Sequence, residues 1–220
     1  MALQNRVTPH GSIVADPARG LLMGNRGGQL HDDHRRLTRR RWVSRQWIAC
    51  ALTYKDRHET IMAPGRYTQL FFLDEATAFS AGHRPCALCR RADFLRFMGL
   101  WQKLRGMATQ PKVAEVDAML HAERVGLGRE KVSYVAKLGE LPEGVMVAPT
   151  DGSAFHPIAC LYHGSHLLPW SPSGYEQASP ASPSLEVRVL TPASIVAIFA
   201  AGYAPMLHPS AWLMSAARST

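Results

Sequence analysis

The sequence predicts an α+β fold, and three observations carry that reading. Helical and β-like runs segregate along the chain instead of alternating as βα units do. Two windows between residues 91 and 126 place apolar side chains at the i, i+3, i+4, i+7 spacing of a buried helix face. From about residue 131 onward, short β-rich pieces dominate. The 220 residues are 46% hydrophobic and 19% charged, which suffices to bury a core in one domain or in a domain with a subdomain. No run approaches the roughly 20 apolar residues of a membrane-spanning helix. The first twenty residues hold no apolar leader, and four cysteines are too few for a disulfide scaffold. A cytoplasmic protein with reduced or metal-bound thiols is therefore expected.

The opening segment, residues 1–44, is expected to be an irregular glycine- and arginine-rich lead-in, because prolines and glycines break any periodicity. Gly24, Gly27 and Gly28 mark tight backbone there. WIACALTY, from Trp47, reads as a strand, KDRHE (55–59) as a turn, and YTQLFFL (67–73) as a further β-rich run. DEATAFSAG reads as a short helix with Asp74 as N-cap and Gly82 as the glycine that ends it. RADFLRFMGLWQKLRG is a longer helix burying Phe94, Phe97, Met98 and Trp101. PKVAEVDAMLHAERVG follows the same grammar, with Pro111 near its start, Val113, Val116 and Leu120 on one side, and Gly126 at its end. VSYVAKL, GVMVAP, AFHPIACLYHGSHLLPW and LEVRVL then read as strands. Between the last two, SPSGYEQASPASPS reads as a Ser/Pro-rich loop without capacity to pack. TPASIVAIFAAGY closes the chain as a helix with Thr191 as N-cap, Pro192 in its first turn and Gly202 at its end.

The formal charge of +8 is unevenly spread. Residues 1–110 hold 18 Lys and Arg against 8 Asp and Glu, whereas residues 111–220 hold 7 against 9. Sixteen of the 18 cations in the first half are arginine, the side chain best suited to planar contacts with phosphate or carboxylate. They concentrate in HRRLTRRRWVSR, at positions 35, 36, 39, 40, 41 and 45, beside Trp42 and Trp47. Several guanidinium groups on one segment point to a polyanion such as nucleic acid, while the tryptophans stack on bases or arginine, or fill the core.

Cys86 and Cys89 form a C-x2-C pair immediately after Gly82 and Pro85, a spacing that lets two thiols on one turn face one ion. The neighbouring Arg84, Arg90 and Arg91 favour the thiolate form. FFLDEATAFSAGHRPCALCRR resembles the second half of the Ada-type metal-binding domain of bacterial methyl-phosphotriester repair and response proteins. Trp47-Ile48-Ala49-Cys50 resembles the segment bearing that family's first cysteine. The likeness covers about residues 45–92. It implies a zinc ion (Zn2+) held by Cys50, Cys86 and Cys89, in an Ada-like zinc module embedded in the first half of the chain. The family's second cysteine falls on Tyr54 here, so the fourth ligand is left open among Cys160, His31, His34, His58 and water. The chain then divides into the lead-in, a zinc module with its bracing helix (45–105), and a smaller β-rich portion with a helix at either end (106–220).

The expected function is DNA binding through Arg39, Arg40, Arg41, Arg84, Arg90 and Arg91, in DNA repair or a response to modified DNA, with zinc organising the backbone. Three alternatives stand beside it. His31, Asp32, Asp33 and His34 form an HDDH cluster that could serve a metal-assisted nuclease. The resemblance offers Cys50 as a methyl acceptor, although a changed ligand set favours a structural zinc site. The arginines could also meet an acidic protein partner on a zinc-stabilised interaction module. His163 and His166 would face opposite sides of a continuous strand, which argues against a shared ion there.

Overall fold

The computed structural model describes residues 2–55, 60–150 and 158–212. It is a mixed α+β structure with two sheets. The first contains β1 (Gln4–Val7), β2 (Ile13–Ala15), β3 (Leu22–Arg26), β4 (Trp47–Ala51), β5 (Leu70–Phe72) and β6 (Arg84–Pro85), in the order β2-β1-β5-β3-β4-β6. Its pairings are antiparallel except β1 with β5 and β4 with β6. Three helices accompany it in sequence: α1 (Glu75–Ser80), α2 (Arg91–Leu104) and α3 (Val113–Arg124). The second sheet is antiparallel and holds β7 (Tyr134–Lys137), β8 (Met146–Pro149), β9 (Cys160–His163), β10 (His166–Ser171), β11 (Gly174–Tyr175), β12 (Ser179–Pro180) and β13 (Glu186–Val189). Its order is β11-β10-β9-β8-β13-β7, with β12 beside β10, and α4 (Ala193–Ala200) follows.

Helix α1 is the pivot. All six of its residues are buried, because it touches three hydrophobic clusters at once. Ala78 and Ala81 meet the first sheet beside Leu70 and Phe72. Ala76 meets Met146 and Leu161 of the second sheet. Phe79 joins Phe97, Trp101 and Phe199 among α2, α3 and α4. A helix enclosed on every side can be approached closely only if most of its side chains are small, which accounts for its alanines. Asp74 caps it as expected, accepting the Thr77 N–H at 2.9 Å. Gly82 stops it at φ +82°, where a Cβ would lie 2.4 Å from Arg124. Helix α2 buries Phe94, Phe97, Met98 and Trp101, the four residues its periodicity selects.

The structure corrects several expectations. Residues 1–44 are irregular only in their second part: β1, β2 and β3, up to Arg26, belong to the first sheet, and β3 lies between β4 and β5. Short strands broken by proline and glycine carry too little alternation to register locally, and long-range pairing supplies their order. Gly24 is glycine because a Cβ would sit 2.1 Å from the Ile48 carbonyl oxygen on the neighbouring strand. The Ser/Pro-rich loop does pack, since Tyr175 is 3% exposed and donates to Asp74 Oδ2 at 2.7 Å. Thr191 does not cap α4; its hydroxyl accepts the Met146 N–H, and Pro192 occupies the cap position. Pro111 lies just outside α3, which begins at Val113. His163 and His166 are not on opposite faces, because a turn at residues 164–165 pairs them directly across β9 and β10.

Arginines divide between interior and surface. Arg84 and Arg90, expected on the nucleic-acid surface, are buried. Arg84 makes a bidentate pair with Asp117, both contacts at 2.8 Å. Arg90 bridges Glu75 at 2.5 Å and Asp93 at 2.7 Å. Arg26 and Arg124 are buried against Trp47, their guanidinium carbons 4.0 and 4.1 Å from its ring centre. Burial, reinforced by the adjacent Arg124, pushes Arg26 down to about 9. Arg35, Arg36, Arg39, Arg40, Arg41, Arg45 and Arg91 remain exposed. Of the six in the 35–45 segment, only Arg36 makes an ion pair among the described residues, with Asp32 at 3.3 Å.

Candidate metal centre

Two strands bring the cysteines together. β4 and β6 run parallel with Ile48 beside Arg84 and Ala49 beside Pro85. One residue further along each chain path stand Cys50 and Cys86, and the Cys86 N–H donates to the Ala49 carbonyl at 2.9 Å. The chain then turns: the Arg90 N–H reaches the Cys86 carbonyl at 3.1 Å, which carries Cys89 back toward Cys86. Leu88 N–H donates to Cys86 Sγ and Ala51 N–H to Cys89 Sγ, both at 3.4 Å. Donors directed at sulfur stabilise negative charge there, which a metal ligand must carry.

The three Sγ atoms lie within 4.8 Å of one another, close enough to hold a metal ion. Metal–sulfur bonds of about 2.3 Å in a tetrahedron separate sulfurs by roughly 3.8 Å, so the trio fits such a centre with only small adjustment. Among the described residues it is the one group of three or more such side chains gathered in this way.

The Cys86 thiol is lowered to about 5, mainly because Cys50 donates its S–H to that sulfur. The same contact raises Cys50, and burial raises Cys89. The raised Cys50 and Cys89 thiols must ionise before they can bind an ion, so metal uptake should release protons, and affinity should fall as pH drops because protons compete for the sulfurs. A pH-indicator titration in weak buffer measures both; uptake without proton release would contradict a three-thiolate centre.

The candidates for a fourth ligand sort differently. Cys160 is buried in the hydrophobic core with Val145 and Val147. His31 is buried, with Nδ1 at 2.6 Å from Thr68 Oγ1 and Nε2 at 3.2 Å from the Ala63 carbonyl oxygen. His34 is exposed. None of these joins the trio, and His58 lies outside the described residues. The HDDH cluster does not converge either. Asp32 Oδ1 accepts the His34 and Arg36 N–H groups at 2.9 Å, organising a turn, while His31 points to Thr68.

The trio borders a cavity of about 460 Å3, with Ile48, Phe71, Tyr67 and Leu88 among its lining. Its polar lining includes Asn25 and Gln69, which sequence reasoning did not select. Alternation was the available signal: in LMGNR and YTQLFFL they fall on the strand face opposite Leu22, Leu70 and Phe72. No protein-family model, curated protein or solved structure matches this chain.

Proposed function

We propose that the protein is a zinc-containing nucleic-acid-binding protein whose arginine-bearing loop between β3 and β4 engages the phosphate backbone. The observation that carries this reading is the partition of the arginines. Arg84 and Arg90 are buried on carboxylates, whereas Arg35, Arg39, Arg40, Arg41 and Arg45 stand exposed on one loop without a carboxylate partner among the described residues. Such a grouping loses self-repulsion when it meets a polyanion and releases that polyanion's counterions. The Ada-like segment of residues 45–92 points the same way, toward DNA.

Cys50, Cys86 and Cys89 would hold the zinc. Bound there, zinc would pin β4 to the turn that begins α2 and keep the thiolates unprotonated. The loop stands on the same β3–β4 pair. Arg26 and Trp47, at its two ends, stack on each other, and Val43 N–H donates to the Arg26 carbonyl at 2.9 Å.

Fluorescence anisotropy with a labelled DNA duplex, across a salt series, tests the proposal. Replacing Arg39, Arg40 and Arg41 together with alanine should weaken binding and flatten the slope of log K against log salt by about 2–3, near 0.9 for each phosphate no longer neutralised. An unchanged slope, or no salt-dependent affinity in the parent protein, would reject it. A second reading rests on Cys50, whose side chain is partly exposed and borders the cavity, as an acceptor of an alkyl group. A methyl-sized gain in intact mass after exposure to methylated DNA, absent in Cys50→Ser, would distinguish it.

A further inference from the structure

The cavity beside the cysteines is built on the outward face of the first sheet. Register places Met23 opposite both Cys50 and Phe71, and Asn25 opposite Ile48. Gln69 lies two residues before Phe71 and falls on the same face by alternation. Tyr54, Tyr67 and Leu88 also line the space, and apart from the cysteines no Asp, Glu, Lys, Arg or His does so among the described residues. Its volume of about 460 Å3 falls within the range of small-ligand sites.

Two amides decide what such a ligand must offer. Gln69 is 3% exposed; its Oε1 accepts the Met62 N–H at 2.7 Å, and its Nε2 has no acceptor. Asn25 Oδ1 accepts the Gly27 N–H at 2.9 Å. The unpartnered Gln69 Nε2 has donors to give, and Asn25, with its oxygen already held by backbone, offers an amide N–H2 beside it. The matching ligand has an apolar flat body and carries hydrogen-bond acceptors along one edge.

These amides also stand where the cavity meets the arginine loop. Asn25 is the penultimate residue of β3, just before the loop begins. Gln69 follows Thr68, which anchors the loop by accepting the Leu30 N–H at 2.7 Å and donating its own N–H to the Gly28 carbonyl at 3.1 Å. The amide end of the cavity and the arginine loop thus share the Thr68 anchor.

We infer that this cavity receives a nucleobase, its ring among Tyr67, Phe71 and Ile48 and its acceptor edge toward Gln69 and Asn25. The inference deepens the nucleic-acid reading and rests on it for the source of the base. Two sources share this chemistry, a base turned out of a strand and a free nucleoside. A base leaving a duplex must unstack, which is easiest at a mismatch.

The experiment uses the metal-loaded protein and a duplex carrying one 2-aminopurine at a mismatch. Binding should raise its emission, and an otherwise identical duplex with an abasic site at that position should bind about 10-fold more weakly. Gln69→Leu should abolish both effects while leaving the salt-dependent affinity in place. Ile48→Phe, which fills the cavity from its floor, should do the same should Gln69→Leu fail to fold. Calorimetry with the four nucleosides forms the second arm. Nucleoside binding that Ile48→Phe removes, without any duplex affinity, keeps the cavity assignment and rejects the nucleic-acid reading. Duplex binding with unchanged emission, no preference over the abasic duplex and no nucleoside binding overturns the inference while the arginine-loop proposal survives.

Discussion

Replacing Asp117 with alanine is expected to cost about 3–5 kcal/mol, the penalty of stranding a buried guanidinium. The Arg84 and Asp117 side chains are 5% and 2% exposed, and their two parallel contacts of 2.8 Å use both carboxylate oxygens. In the variant, Arg84 retains the Pro85 carbonyl at 3.2 Å and the face of Phe94, neither of which carries a compensating charge. Asp117 sits on α3 and Arg84 on β6, two residues from Cys86, so the break should also weaken metal binding. Urea denaturation of the metal-loaded protein measures the first effect and competition with a chromophoric chelator the second. The double change Arg84→Met with Asp117→Leu should recover most of the stability, because removing both charges also removes the cost of desolvating them. A single variant within about 1 kcal/mol of the parent would show that Arg84 finds water or another partner.

Cys86→Ser is expected to have the largest effect on the metal. It deletes the most buried of the three candidate ligands and the sulfur that the Leu88 N–H addresses. Loss of a mere supporting group around a metal costs about 10- to 100-fold in affinity, so loss of a ligand should exceed about 100-fold. The stability consequence follows by mass action. With free metal at about a thousand times Kd, the parent gains about 4 kcal/mol that a chelator removes, and the variant should show almost none of that difference. Cys160→Ser serves as the contrast: it sits in the hydrophobic core beside Val145 and should leave metal content unchanged. Equal metal content in Cys86→Ser and the parent would rule out the trio as the binding site.

The two experiments address features of very different legibility. The C-x2-C pair is local, and its two sulfurs are placed by one turn whose start and stop residues are contiguous in the chain. Cys50 came from resemblance, and the parallel pairing of β4 with β6 brings it to the other two. The arginines show the opposite case. Arg84, Arg90 and Arg91 read identically in the sequence, yet Asp117 lies 33 residues from Arg84 and Glu75 lies 15 before Arg90, so burial could not be inferred from neighbours. The exposed arginine loop was visible as composition, whereas its anchoring through Thr68 needed a contact between distant segments.

What the amino-acid order determined by itself is what repeats within a turn or two: the capped and glycine-stopped α1, the four-residue buried face of α2, and the paired thiols after Pro85. Tertiary structure alone decided the membership of β1 to β3 in the first sheet, the inward or outward fate of each arginine, and the cavity that the amides and the cysteines both line. The physical reason is range. Helix periodicity, caps and short metal spacings are satisfied by residues close in sequence. Strand partners, buried charge pairs and cavity walls are set by residues that meet only when the whole chain has packed.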